Sequence, residues 1–387
     1  MEVLLMLATV LCGIDVLENE NFDTLNGRNV GLITNHTGRT ADGRYTADVL
    51  HEAENVNLVA LFAPEHGIRG ELDEENIGDL TDPDTGLPIY SLYNRASENR
   101  FRPSDEQLEG IDTIVFDIQD IGARFYTYVG TMGYAMEAAT ENDLKFVVLD
   151  RPNPINGIDV EGPVADEDYL GLTAFQPMPT RHGMTAGELA LMFKDDLNLD
   201  LDLEVVWCEN WRRDMYWDET GLTWVNPSPN MRTFTQALLY PGIALVEGTP
   251  ISVGRGTDTP FELLGAPWMR HRELAKAINF AKIPGIRAYP ITFTPTERDY
   301  AGELCYGVQF IVTDRDQIDA VRVGSEIAFL IKQIHGDDWN SERFVNLVQD
   351  RMAADLTLDA GYAVARLAWD AELQEFMKKR ERYLHYD

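Results

Sequence analysis

Thr113-Ile114-Val115-Phe116-Asp117-Ile118-Gln119-Asp120 decides the fold of this chain. An apolar run ends abruptly in Asp117, Gln119 and Asp120. A near-continuous run of this length is the mark of a strand buried on both faces of a parallel sheet. Val30–Thr34, Leu58–Ala63 and Lys145–Leu149 have the same form. Between them, Thr46–Glu54 and Thr127–Glu141 carry apolar residues at helical spacing. The alternation predicts an α/β fold with a doubly wound, Rossmann-like parallel sheet.

Arg151-Pro152-Asn153-Pro154-Ile155-Asn156-Gly157 forbids regular structure and closes the first lobe. We expect a first domain over 13–157 and a second, smaller α/β domain over 158–387. In the second, Thr185 and Glu188 have capping-box spacing at a helix start. Leu203–Trp207, Gly242–Val246, Ile286–Phe293 and Gly307–Thr313 read as strands. Asp316–Gln333 and Ala360–Lys379 read as amphipathic helices. A length of 387 residues, with 44% hydrophobic and 10% aromatic residues, suits two packed cores.

The net charge of −33, from 65 acids against 32 bases, argues against nucleic-acid or anionic-membrane partners. Glu71 to Asp84 holds seven carboxylates and Asp195 to Glu204 five, without a base in either run. Neither has calcium-loop spacing, so both read as solvated faces. Cys12, Cys208 and Cys305 form no CxxC pair, which disfavours structural zinc and a disulfide scaffold. Met1 to Cys12 is apolar but lacks a basic n-region: a signal-peptide remnant, or a first strand or helix. No other stretch is long enough to insert in a membrane. No cofactor or metal is expected.

Each first-lobe strand runs out into polar, chain-bending residues. Asn35-His36-Thr37-Gly38 follows the first and Pro64-Glu65-His66-Gly67 the second. Asp117 to Asp120 and then Gly122-Ala123-Arg124-Phe125-Tyr126 follow the third, and Asp150-Arg151-Pro152-Asn153 the fourth. Open α/β sheets bind ligands outside the carboxyl ends of their strands, so the four exits converge on one crevice. Glu65-His66 is not part of an HExxH pair, which leaves zinc without support. Gly248 to Gly256 matches neither a Walker loop nor a dinucleotide fingerprint, and no GxSxG elbow is present. Arg124, Arg151, Arg181 and Arg255 either fork onto a ligand carboxylate or pair with local acids. Tyr126, Tyr128, Trp224 and Trp268 lie among polar groups and are the better candidates for sugar-stacking faces.

Several strings together resemble the YbbC/NamZ family of exo-β-N-acetylmuramidases. They are Gly31 to Gly38, Ala63 to Gly70, Phe116 to Tyr128, Asp150 to Pro154, Arg181 to Thr185 and Pro227 to Met231. Tyr240 to Gly242, Glu247 to Thr249, Gly254 to Thr257 and Gly265 to Trp268 complete them. The resemblance implies a glycoside hydrolase that releases N-acetylmuramic acid from the non-reducing end of peptidoglycan fragments. It also implies a Rossmann-like lobe, a smaller α/β lobe and a cleft between them. Export to the periplasm or beyond would suit such a substrate, whereas the poor leader suits the cytoplasm.

By resemblance Glu65 is the catalytic acid. We group His66, Asp117 and Tyr126 with it as catalytic candidates. Asn35, Gln119, Asp120, Arg124, Tyr128, Arg151, Asn153, Glu161, His182, Asn230, Glu247 and Arg255 are the substrate-binding candidates. Glycoside cleavage needs an acid on the leaving oxygen and often a second carboxylate, for which Asp117, Asp120 and Glu161 are available. The substrate's own acetamido carbonyl is an alternative nucleophile, which an Asp or Tyr would only orient. The lactyl carboxylate needs a cation, which Arg124, Arg151 or Arg255 can supply. A non-catalytic muropeptide-binding protein would use the same cleft.

Overall fold

The computed structural model describes residues 9–65, 68, 80–93 and 101–387. The chain runs α1 (Gly13–Asn19), β1 (Asn29–Thr34), α2 (Thr46–Glu52), β2 (Asn57–Ala63), β3 (Leu80–Thr81), β4 (Pro88–Ser91), β5 (Thr113–Asp117), α3 (Tyr128–Glu141) and β6 (Lys145–Leu149). It continues through β7 (Glu161–Val164), β8 (Pro179–Arg181), α4 (Ala186–Asp196), β9 (Leu203–Val206), α5 (Phe234–Ile243), β10 (Leu263–Ala266), α6 (His271–Ala281), β11 (Ile286–Phe293) and β12 (Cys305–Val312). Four helices close it: α7 (Ala320–His335), α8 (Val345–Val348), α9 (Arg351–Ala360) and α10 (Tyr362–Arg380).

The main sheet has seven strands in the order β3-β4-β2-β1-β5-β6-β9, parallel except for β3 on β4. In chain order its six parallel strands read 3-2-1-4-5-6, the Rossmann arrangement, with the reversal between β1 and β5. β5 is buried along its whole length. β7 and β8 form a small antiparallel pair, and β10-β12-β11 an antiparallel sheet in the C-terminal part. One face of that sheet buries Ile286, Ala288, Val308 and Phe310. Among the described residues no helix is long and apolar enough to cross a membrane.

The four first-lobe strands and both helices between them form where the sequence pattern puts them, as does the Thr185 cap. Its hydroxyl accepts from the Glu188 amide, and the Glu188 carboxylate accepts from Thr185 N. Two expectations fail. Leu203–Val206 does not belong to the second sheet; it is the last parallel strand of the first, paired with β6. Its own acids disguised it, because an edge strand needs only one buried face. Gly242–Val246 is not a strand but the end of α5 and a 3-10 turn. A wholly buried apolar run has no period that separates helix from strand. Gly242 is required there by close packing: a Cβ on it would lie 1.8 Å from Ala320 O of α7.

Two buried polar anchors hold the elements together. Arg124 is fully buried and spends its guanidinium on acceptors from three segments. Nη1 donates to Pro163 O and Met178 O at 2.8 and 2.7 Å, Nη2 to Val348 O at 2.8 Å, and Nε to Gln349 Oε1 at 2.8 Å. Burial pulls its pKa down to about 9, against the Asp350 and Asp166 carboxylates. Arg124→Met leaves these acceptors orphaned, and we expect a loss of about 3–5 kcal/mol in urea unfolding. Sugar preference should not change.

Asp150, at the exit of β6, accepts from Gly187 N at 2.8 Å and from the Tyr386 hydroxyl at 2.5 Å. Burial pushes its pKa up to about 7, and these two bonds pull it back only in part. The folded state therefore binds a proton that the unfolded chain releases near pH 4. The contribution of Asp150 to stability is greatest below that pH and falls as pH rises through about 7. Urea unfolding at pH 5 and pH 8 should show a smaller loss on alkalinisation in Asp150→Asn than in the wild type.

Candidate active site

The reversal between β1 and β5 places two strand exits against each other, and a ladder of side chains joins them. Asn35 Oδ1 accepts from Thr37 N at 2.9 Å and Thr37 Oγ1 at 2.6 Å. Thr37 Oγ1 accepts from Gln119 N at 3.0 Å. Gln119 Nε2 donates to Asp120 O and Pro152 O at 2.7 and 2.8 Å, which ties the β5 exit to the β6 exit. Asp120 is held by Gly122 N, which donates to its Oδ2 at 2.7 Å. Gly122 has φ +84°, and a Cβ there would lie 2.6 Å from Asn153 Oδ1, so only glycine serves.

Glu65 leaves β2 after Pro64 and reaches the start of α3. Thr127 Oγ1 donates to Glu65 Oε2 at 2.7 Å, which leaves Oε1 for other work. Tyr126 and Tyr128 meet edge to face at 5.0 Å, and Tyr126 meets Tyr240 at 5.9 Å. Burial raises the pKa of all three phenols, and the nearby Glu65 carboxylate adds to each rise. They therefore act as neutral donors. The Pro227-Ser228-Pro229-Asn230 segment covers them: Tyr128 OH donates to Pro227 O at 2.6 Å, and Ser228 lies beside Tyr126.

Buried polar atoms collect here without a well-aligned partner among the described residues. They are Asn35 Nδ2, Asp120 Oδ1, Tyr126 OH, His182 Nε2 and Asn230 Oδ1. His182 Nε2 stands 3.3 Å from Asp120 Oδ2, while its Nδ1 accepts from Met184 N at 3.2 Å. That acceptor role places the ring proton on Nε2, facing the carboxylate. Folded proteins rarely leave such atoms unsatisfied, so a ligand or ordered water can meet them here.

Other expected site residues are spent on the scaffold. Asp117 is fully buried, and Arg151 Nε and Nη2 reach its two oxygens at 2.5 and 2.9 Å. Thr46 Oγ1 adds a third bond at 2.5 Å, so this geometry gives Asp117 no part in proton transfer and holds Arg151 in place. Arg124 is enclosed in its cradle of carbonyls. Asn153 pins Met184 O and Ile155 N. Glu161 takes Arg181 Nη1 at 2.5 Å across the β7–β8 pair and Val321 N at 3.2 Å from α7. It locks the hairpin to a helix start. Glu247 and Arg255 pair at 2.5 Å, partly exposed, beside Tyr240. Trp224 Nε1 donates to Met231 O, and Trp268 Nε1 to Tyr300 OH at 3.2 Å. His66 lies outside the described residues.

Thr127, Ser228 and Tyr240, which are not among the candidates read from the sequence, stand beside Glu65 and Tyr126 and lie inside the quoted strings.

The family comparison divides the chain in two. The N-terminal model of the exo-beta-N-acetylmuramidase NamZ matches residues 30–235, and the C-terminal model of the same enzyme matches 238–386. This chain belongs to the NamZ family. It is 41% identical over 385 residues to the peptidoglycan beta-N-acetylmuramidase NamZ of Bacillus subtilis strain 168, covering 97% of this chain and 91% of the relative. Crystal structures of two DUF1343 family proteins from Bacteroides fragilis are similar across 98% of the chain and 99% of theirs. One has a TM-score of 0.90 at 35% identity, and the other 0.77 at 30%. The NamZ fold is thus present along nearly the whole chain.

Proposed function

We propose that this NamZ-family protein is a glycoside hydrolase that removes N-acetylmuramic acid from the non-reducing end of peptidoglycan fragments, with Glu65 as general acid. The observation that carries the site assignment is the placement of Glu65 by Thr127 beside a group of buried, unsatisfied polar atoms. A carboxyl at that position can protonate the glycosidic oxygen. Asp120 is the second group. Gly122 N donates to one of its oxygens, with His182 beside it, and the other has no partner among the described residues. Such an oxygen can accept the acetamido N–H and aim the acetamido carbonyl at the anomeric carbon. Tyr126, Tyr128, Asn35 and Asn230 bind sugar hydroxyls. We place the boundary between the two units at 235–238, where β9 has already completed the first sheet.

Incubation with the β-1,4-linked disaccharide of N-acetylmuramic acid and N-acetylglucosamine tests this reading. Free N-acetylmuramic acid should form, and a muropeptide-binding protein would leave the disaccharide intact.

The lactyl carboxylate must be captured locally in a chain of charge −33. Of Arg124, Arg151 and Arg255, only Arg255 keeps its guanidinium near the surface beside Tyr240. Arg255→Ala should cost on the order of 1.5–3 kcal/mol in kcat/KM on a muraminide and spare glucosaminide activity. Equal loss on both sugars would assign Arg255 a structural role.

A further inference from the structure

A second cavity of about 140 Å3 opens at the exits of β1, β5 and β6, under the segment 217–225. Arg39, Thr40, Gln119, Trp217, Leu222 and Val225 line it, together with Cys12 and Arg151. Glu65 and the Tyr126–Tyr128 pair do not line it. Thr37 and Gln119, two rungs of the ladder that starts at Asn35, are among the lining residues.

Three features mark the cavity as built for a ligand. Arg39 is held at its three nitrogens by neutral acceptors: His36 O at 3.0 Å, Gly43 O at 3.2 Å and Tyr45 OH at 2.6 Å. Its guanidinium lies 4.0 Å above the Tyr45 ring and has no carboxylate partner among the described residues. The nearby carboxylates are committed elsewhere. Asp117 serves Arg151 and Thr46, Asp15 accepts from Cys12 N and Ala41 N, and Asp42 pairs with Arg44. Two buried atoms on lining residues also lack partners among the described residues, the acceptor Gln119 Oε1 and the donor Trp217 Nε1. Leu222, Val225 and Cys12 supply apolar surface beside them.

We propose that this cavity is a binding site for a small carboxylate that also carries a hydroxyl or ammonium donor. Arg39 takes the carboxylate, Gln119 Oε1 accepts from the donor, and the aliphatic part rests on Leu222 and Val225. A cavity of this volume holds about six non-hydrogen atoms, the size of a 2-hydroxy or 2-amino acid of three carbons. Such a group arrives as the free acid; a lactyl ether has lost its hydroxyl and, like propionate, offers no donor to Gln119 Oε1. Occupancy bears on Gln119 and so on the neighbouring Asp120. The proposal does not rest on the role given to Glu65.

Binding of D-lactate, L-alanine, propionate and N-acetylmuramic acid is measured by calorimetry on the full chain. Wild type, Arg39→Lys, Val225→Trp, Arg255→Ala and Glu65→Gln are compared. We expect lactate or alanine to bind wild type, Arg255→Ala and Glu65→Gln alike, and propionate to bind more weakly for want of the donor. Arg39→Lys should weaken binding roughly tenfold or more, the loss of one charge-assisted hydrogen bond. Val225→Trp should block it by filling the space, with circular dichroism confirming the fold. N-acetylmuramic acid should bind this cavity no better than propionate, and its binding there in place of the free acids, removed by Val225→Trp, would overturn the requirement for a donor. Failure of all four compounds to bind wild type overturns the proposal. So does binding that Val225→Trp and Arg39→Lys leave unchanged.

Discussion

Glu65→Gln lowers turnover of the muramyl–glucosamine disaccharide by about 10²–10⁴-fold, the usual contribution of a positioned general acid. The amide keeps an oxygen for the Thr127 hydroxyl, so the side chain stays where the carboxyl was. What it loses is the proton for the leaving oxygen. The disaccharide is the right probe because its leaving group is a poor one. An activated aryl leaving group departs without protonation and would hide the loss. Thermal unfolding should match the wild type, since Glu65 is only half-buried and its neighbours remain satisfied. Near wild-type rates on the disaccharide would remove Glu65 from the mechanism.

Asp120→Asn is expected to cost about 10²–10³-fold in kcat/KM, the size seen when one preorganised polar group at a reacting centre is removed. Gly122 N fixes one oxygen of Asp120, with His182 beside it, and the other has no partner among the described residues. Asparagine can still satisfy Gly122 with its oxygen, but then its NH₂ faces the acetamido N–H, donor against donor. The substrate's carbonyl is no longer aimed at the anomeric carbon. A thiazoline that mimics the cyclised acetamide should inhibit the wild type and lose its hold on the variant. Accumulation of a glycosyl ester on a carboxylate of the wild type would show that another residue, not the acetamide, is the nucleophile.

The first lobe was legible because its signals are local. Thr113–Asp117 and Lys145–Leu149 form strands with the bounds read from their apolar runs. The doubly wound topology then follows from the alternation with helices, and with it the crevice at the strand ends. What failed were the parts decided by distant partners. Leu203–Val206 could be joined to the first sheet only through β6, some sixty residues earlier. Gly242 is shaped by α7, which lies far along the chain.

The site divides in the same way. Of the residues proposed for the site, Glu65, Tyr126, Asn35 and Asp120 lie on the strand exits read from the sequence. Sequence alone could not separate an aspartate free to work from one already paired. Asp117 and Asp120 are three residues apart on one exit, yet Arg151 and Thr46 occupy the first and leave the second an open oxygen. Arg124 misled for a related reason. An arginine in a glycine-containing exit loop looks available until its carbonyl cradle is seen.

The most direct test is a crystal structure of Glu65→Gln with the intact β-1,4-linked disaccharide bound. The glycosidic oxygen should lie within about 3 Å of the residue 65 side chain, with the acetamido N–H on Asp120 Oδ1 and the sugar hydroxyls among Tyr126, Asn35 and Asn230. A disaccharide seated with its glycosidic oxygen away from residue 65, or with its acetamide turned from Asp120, would contradict the account.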